Sequence, residues 1–354
     1  MPAVQHEIDS VKAFRLEPTE IYRFLIDCQR RAIASDRAKI ASLSFSIRAI
    51  APWAVLSAIG DPDQRHFYYD SPQQSIVGVD CAVECAVAGA KRFSLAQEFV
   101  SFWQSQFIYA DLDRCRPAPS GHFFCSATFF AERRKMMPQG PHFEPAYLFV
   151  PRVQVSRQSD RQAAISTVTF NCLMTLTTDI KQVTKDICIQ LKKLATASDL
   201  SRKIRNTIPH RRTSYRTSHK DLTSFEPAVK AALKQIQGNQ LHKVVLADVM
   251  DVESEQPFDE VRSLQALRQN HPDCTVFSVS NGRGQSFIGA SPERLLSITD
   301  GRFTTDALAG TVSRGLLPSL DVQLAQTLVN SKKERFEHRL VVEFIVRQLR
   351  SLGL

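Results

Sequence analysis

"SFIGASPERLLSITDGRFTTDALAGT", residues 286–311, sets one carboxylate, Glu293, among small residues between apolar strands. Ser291-Pro292-Glu293 could open a helix, with serine as N-cap, proline at the first helical position and an acid favoured by the helix dipole. The next residues argue against a helix. "RLLSI", then Thr299-Asp300-Gly301-Arg302, then "FTT" reads as strand, Asp-Gly turn, strand. Only Arg294 and Leu295 separate Glu293 from that hairpin. Glu293 is therefore expected on a bend between two strands, near the mouth of a sheet.

The C-terminal part has a regular punctuation. Ser224 is expected to cap a helix with Pro227 in its first turn and Gly238 at its end. "HKVVLADVMDV" predicts a strand with Lys243 at its start, "FDEVRSLQALRQN" a helix and "CTVFSVS" a strand. The last element, "SKKERFEHRLVVEFIVRQLRSL", is a helix with a broad apolar face, and Glu337 lies on the border of that face. Before this, residues 1–200 alternate strand-like and helix-like pieces. "KIASLSFSI", "RHFYYDS", "GHFFCSATFF", "AYLFVPRVQVSR" and "AAISTVTFNCLMTL" predict strands, the fourth pushed towards a sheet edge by Pro151. "PWAVLSAIG", "FSLAQEFVSFWQSQF" and "TDIKQVTKDICIQLKKLA" predict helices.

Composition narrows the class. The chain has 354 residues, 43% hydrophobic and 23% charged, ordinary for a globular protein. There is no signal-peptide core and no stretch of the roughly 18 apolar residues that a membrane span needs. A cytoplasmic protein with no membrane association is the expectation. Its eight cysteines show no C-x-x-C pair, which suits a reducing compartment better than a disulfide scaffold. Cys81 and Cys85, four apart, would share one apolar face of a helix, as core residues rather than metal ligands. The net charge of +9 is partly local: residues 201–220 carry seven Lys/Arg and no acid. Without apolar periodicity or an RNA-binding signature, residues 201–223 are expected to form a solvated linker, with no nucleic-acid role.

"KVVLA", "FIGASPERL", "ALAGT" and "KKERFEH" occur in this order, with fifty residues between Lys243 and Glu293. Together they resemble the chorismate-utilising enzymes, and within that family the isochorismate synthases. The close match covers roughly residues 225–347. The resemblance implies an α+β chorismate-binding (anthranilate synthase component I-like) fold, in which two antiparallel sheets form a sandwich flanked by helices. Residues 1–200 would be its N-terminal half and residues 224–354 the first part of its catalytic region. The resemblance also implies roles: Lys243 as general base, Glu293 as general acid, Glu337 as a Mg²⁺ ligand, and Ala309-Gly310-Thr311 as a backbone turn against the substrate. It implies chorismate as substrate and Mg²⁺ as cofactor; a monomer is the expectation.

These residue types suit the reaction. Chorismate is a dianion, and its isomerisation adds water at one ring carbon while a hydroxyl leaves another. A partly neutral lysine can take a proton from water, and a protonated glutamic acid can give one to the leaving hydroxyl. Mg²⁺ takes hard oxygen ligands and neutralises a substrate carboxylate. A glycine turn lets backbone N–H groups approach an anion. Plainer readings exist for each: Lys243 as a solvated strand-edge residue, Glu337 as an i,i+4 partner of Lys333, and "ALAGT" as a tight turn.

Differences from relatives sharpen the choice. Anthranilate synthases typically have glutamine where this chain has Lys243, and aminodeoxychorismate synthases a nucleophilic lysine at Ala309. Salicylate synthase, which goes on to eliminate pyruvate, is the alternative of similar motif. Asp248 stands where the family often has arginine, and "FFCSATFF" where a glycine-rich strand is usual. In the family, the helix matching "KKERFEHRLVVEFIVRQL" is followed by a further segment with a substrate-binding arginine and more Mg²⁺ ligands. No counterpart is found here, so the fold is expected to be incomplete at the C-terminus and activity impaired, down to a non-catalytic remnant.

Overall fold

The computed structural model describes residues 18–111, 121–132, 143–158, 165–203, 215–219, 222–241 and 243–353. Contacts divide the chain into two units: Met1–Pro209 with Asp259–Pro292, and His210–Phe258 with Glu293–Leu354. Most of the basic run, residues 204–214 and 220–221, lies outside the described residues. No helix among the described residues is long and apolar enough to cross a membrane.

The first unit is built on a nine-stranded sheet. Its strands are β1 (Lys39–Arg48), β2 (His66–Asp70), β3 (Gln74–Val87), β4 (Phe107–Asp111), β5 (Phe124–Ala127), β6 (Ala146–Gln158), β7 (Ile165–Met174), β10 (Thr275–Ser280) and β11 (Ser286–Ser291). Their spatial order is β11-β10-β2-β3-β6-β7-β1-β4, with β5 also paired to β6. Every pairing is antiparallel except β1 with β4.

Alternation along β1 shows how the sheet is covered. Ala41, Leu43, Phe45 and Ile47 enter the main apolar core, whereas Ser42 and Ser44 point to the other face. Helix α1 (Pro18–Ser35) contributes Ile21, Leu25, Cys28 and Ala32 to that core, a stripe at helical spacing. Helix α2 (Pro52–Ile59) adds Val55 and Leu56, and α4 (Ile180–Lys203) adds Ile187, Leu191 and Leu194. Burying one such side chain is worth about 1.5–3 kcal/mol. The polar face is satisfied internally: Ser42 donates to Asn171 Oδ1 at 2.8 Å, and Asn171 Nδ2 donates to the Pro151 carbonyl at 2.8 Å. Helix α3 (Arg92–Gln104) packs by Phe99 and Trp103 against a smaller cluster around Val83 and Val150.

Two expectations fail here. Pro151 lies on β6, between β3 and β7, and not at an edge. Cys81 and Cys85 lie on β3 and not on a helix. The β3–β6 register shifts between Cys81 and Val83, and Pro151 stands opposite Cys81. Asp80, at φ +59°, accepts the Cys81 N–H on its own carboxylate at 2.7 Å. Proline has no N–H to donate across the bulge, and the Cys81 carbonyl opposite it accepts instead from Arg152 Nη2 at 3.2 Å.

The second unit has no large sheet among its described residues. Strands β8 (Tyr215–His219) and β9 (Met250–Ser254) pair with each other, as do β12 (Ser297–Thr299) and β13 (Arg302–Thr304). Helix α5 (Leu222–Gln237) starts before Ser224, so Pro227 sits inside it and removes an intrahelical bond. The strand expected from His242 onward forms only from Met250. Lys243–Val249 have no regular structure, and among the described residues β9 pairs with β8 only from Met250. Both α6 (Glu260–Asn270), in the first unit, and α8 (Lys332–Ser351), in the second, match the expected helices. Helices α1 and α7 (Pro318–Asn330) and strand β8 were not foreseen.

Candidate active site

The bend at Glu293 is not helical. Ahead of it, Gly289 on β11 has a plain packing reason: a Cβ there would meet the ring of Phe277, its cross-strand partner, at 2.7 Å. Beyond the bend, Asp300 at φ +50° and Gly301 at φ +74° form the tight turn of the β12–β13 hairpin. Such a turn returns the chain beside itself, so residues before β12 meet residues after β13. Arg294 Nε approaches Asp306 Oδ2 at 3.4 Å, and Thr305 Oγ1 donates to the Leu295 carbonyl at 2.7 Å. The Glu293 bend is thereby tied to the start of the loop that carries Ala309, Gly310 and Thr311.

The same loop is held from the other side by α8. Gly310 has φ +90°, a conformation that side chains disfavour. A Cβ on it would come 3.0 Å from Glu334 Oε2 and 3.5 Å from Leu328 Cδ1. His338 Nε2 donates to the Ala307 carbonyl at 3.2 Å, an assignment that puts the proton on Nε2. Ser331 caps α8 by accepting the Glu334 N–H at 3.3 Å. Farther along, the Arg314 guanidinium grips Asp321 with two contacts of 2.8 Å, and the Gly315 N–H donates to the same carboxylate at 2.8 Å. The Arg314 hydrogen bond is the main cause holding the Asp321 carboxyl below its ordinary range. The loop is thus fastened at several points along its length.

Glu334 was missed in the sequence. It is three residues before Glu337, so both occupy one face of α8, and both are half-buried. The signal was Ser331-Lys332-Lys333-Glu334, the serine and acid spacing of a capped helix start. Lys333 lies 3.9 Å from Glu334, and no ion pair joins it to Glu337 among the described residues. The surface-pair reading of Glu337 therefore loses its partner.

Lys243 is not tied to this group. It is exposed, and no hydrogen bond or ion pair among the described residues joins it to Glu293, the loop or α8. Nor do the described residues hold any group of three or more His, Cys, Asp or Glu that could bind a metal ion. They do offer a pair of carboxylates one turn apart, and Mg²⁺ commonly takes one or two carboxylates and completes its shell with water and substrate oxygens. The donor chemistry of Glu334 and Glu337 fits that ion.

The first unit carries a separate polar cluster. Glu260 accepts from His66 Nε2 at 2.7 Å, from Ser286 at 2.8 Å and from Ser278. Burial pushes the Glu260 carboxyl up, but these donors outweigh it and leave the group below its ordinary value. His66 is almost wholly buried, and the cluster ties β2, α6, β10 and β11 together.

The architecture is the α+β fold of the chorismate-binding enzymes. It matches the menaquinone-specific isochorismate synthase MenF of Escherichia coli with a TM-score of 0.61 and 20% identity, covering 92% of this chain and 69% of that one. It matches the 2,3-dihydroxybenzoate-specific enzyme DhbC of Bacillus anthracis, described as a putative isochorismate synthase, with a TM-score of 0.55 and 17% identity, covering 84% and 62%. Residues 27–354 match the chorismate binding enzyme family, and the chain belongs to that family. Its sequence is 28% identical over 318 residues to the salicylate biosynthesis isochorismate synthase of Pseudomonas aeruginosa, covering 89% of this chain and 63% of that protein. It is 33% identical over 131 residues to Escherichia coli MenF, covering 37% of this chain and 30% of that protein. The chain thus spans under two thirds of the length of these curated relatives.

Proposed function

We propose that this protein is an isochorismate synthase, converting chorismate to isochorismate by adding water at one ring carbon while a hydroxyl leaves another. One observation carries the reading beyond family membership: the Gly310 loop is fastened both to the Glu293 bend and to the acidic face of α8. A carboxylic acid, a backbone turn suited to an anion and a pair of carboxylates are thereby linked through one short segment.

In this reading Glu293 gives a proton to the departing hydroxyl, and Lys243 takes one from the attacking water. The role of Lys243 rests on its motif and on its residue type, since a lysine suits water activation. The Ala309-Gly310-Thr311 turn offers N–H groups to a substrate carboxylate. Glu337, with Glu334, would hold Mg²⁺, which when bound neutralises carboxylate charge and orients the substrate. Product analysis of the full-length protein with chorismate and Mg²⁺ tests the assignment. Isochorismate should accumulate alone. Salicylate with an equal amount of pyruvate would replace the proposal with salicylate synthase, and anthranilate formed with ammonia would replace it with anthranilate synthase.

A further inference from the structure

We propose that Arg294 and Asp306 form a positioning clasp that keeps the Glu293 bend in register with the Gly310 turn. The inference rests on the reading of those two segments as parts of one site. Along the β12–β13 hairpin, Ser297 pairs with Thr304, Ile298 with Phe303 and Thr299 with Arg302. Beyond Ser297 the count slips by one residue. Leu295 is bonded to Thr305 and Arg294 contacts Asp306, so one residue on the Leu295–Leu296 side is extra, as in a bulge. Carried one step further, the same count sets Glu293 level with Ala307, whose carbonyl is held by His338 on α8.

The bulge has a consequence for order. Leu295 is 86% and Leu296 50% exposed, so apolar packing does little to fix this end of the hairpin. The Thr305–Leu295 bond supplies one tie between the bend and the loop. The Arg294–Asp306 contact, one residue closer to Glu293, supplies the second. Both side chains are partly exposed, 49% and 35%, so the pair adds little to global stability. Its effect falls on where Glu293 stands relative to the turn. Small displacements of a proton donor weigh heavily on turnover, on the order of 10²-fold for about 1 Å.

The test uses the full-length protein with Arg294→Met, with Asp306→Asn, and with the exchanged pair Arg294→Asp/Asp306→Arg. Hydrogen exchange of residues 305–311, the thermal midpoint, and kcat and KM for chorismate are read for each. Each single variant should speed exchange at 305–311 and lower kcat about 10- to 100-fold, with the midpoint and KM nearly unchanged. The exchanged pair should recover a large part of both losses. Unchanged exchange in both single variants overturns the clasp, whether or not the protein turns over chorismate. Faster exchange with kcat untouched, in a protein that makes isochorismate, also overturns it. If the unaltered protein makes no isochorismate, the function proposed above fails instead, and exchange with its recovery in the swapped pair still decides the clasp.

Discussion

The two units are held together by different physics. In the first, the described residues include all the buried apolar side chains, from Ile21 on α1 to Val276 on β10. In the second, Phe336, Phe344 and Leu317 are each more than half exposed. Order there comes from local devices: the Asp300-Gly301 turn, the Ser331 cap, the Arg314–Asp321 grip and the ties on the Gly310 loop. The first unit therefore behaves as a scaffold, whose side chains are set by packing. The second carries the proposed site residues on segments set by hydrogen bonds. Residues of the two kinds should respond differently to substitution: scaffold changes should appear in stability, site changes in turnover.

The largest effects should separate these cleanly. Phe170→Ala, in the core beside Phe45, should cost about 3–5 kcal/mol in denaturant unfolding. A loss below about 1 kcal/mol would mean that the sheet does not rely on this core. Glu293→Gln should lower kcat about 10²- to 10⁴-fold with the unfolding midpoint unchanged. Unaltered kcat would remove Glu293 from the role of general acid.

A smaller effect is set by pH. Glu260 is held below its ordinary value of 4.5 in the folded protein. Its contribution to stability is therefore complete above about pH 4.5 and is lost as pH falls through the folded-state value. Glu260→Gln should flatten the acid limb of a stability profile below about pH 4.5. An identical acid limb in the variant would assign that limb to other carboxylates. Smallest of all, Phe344→Ala on α8 should change stability by only about 0.5 kcal/mol, since the ring is 54% exposed. A change of several kcal/mol would show that Phe344 is buried against something in the working protein.

The same contrast explains how much could be read from sequence. Strong periodicity marked β1, β7, β10, α2 and α4, because side chains there sort by face against one core. The Asp300-Gly301 hairpin and the non-helical Glu293 bend were legible from turn chemistry alone. Pro151 misled because a proline's tolerance depends on the partner strand, and the bulge opposite it at Cys81 leaves no local signal. Cys81 and Cys85 misled because a spacing of four fits one face of a strand as well as of a helix. Lys243 was expected on a strand, but a strand needs a partner's backbone, and among the described residues pairing begins only at Met250. Strand β8 was hidden within a charged run, and α7 behind weakly patterned residues after Pro318. For the proposed site, residue types and order come from the motifs. The fastening of the loop was not, since Arg294, Asp306 and His338 act through contacts that no spacing announces.

The claim that the chorismate site lies on the loop and helix segments of the second unit is tested most directly by hydrogen exchange of the full-length protein, with and without chorismate and Mg²⁺. Protection should concentrate in residues 293–311 and in the first two turns of α8, while amides of β1, β6 and β7 stay as they were. Protection confined to the nine-stranded sheet, or none at saturating chorismate, would contradict it.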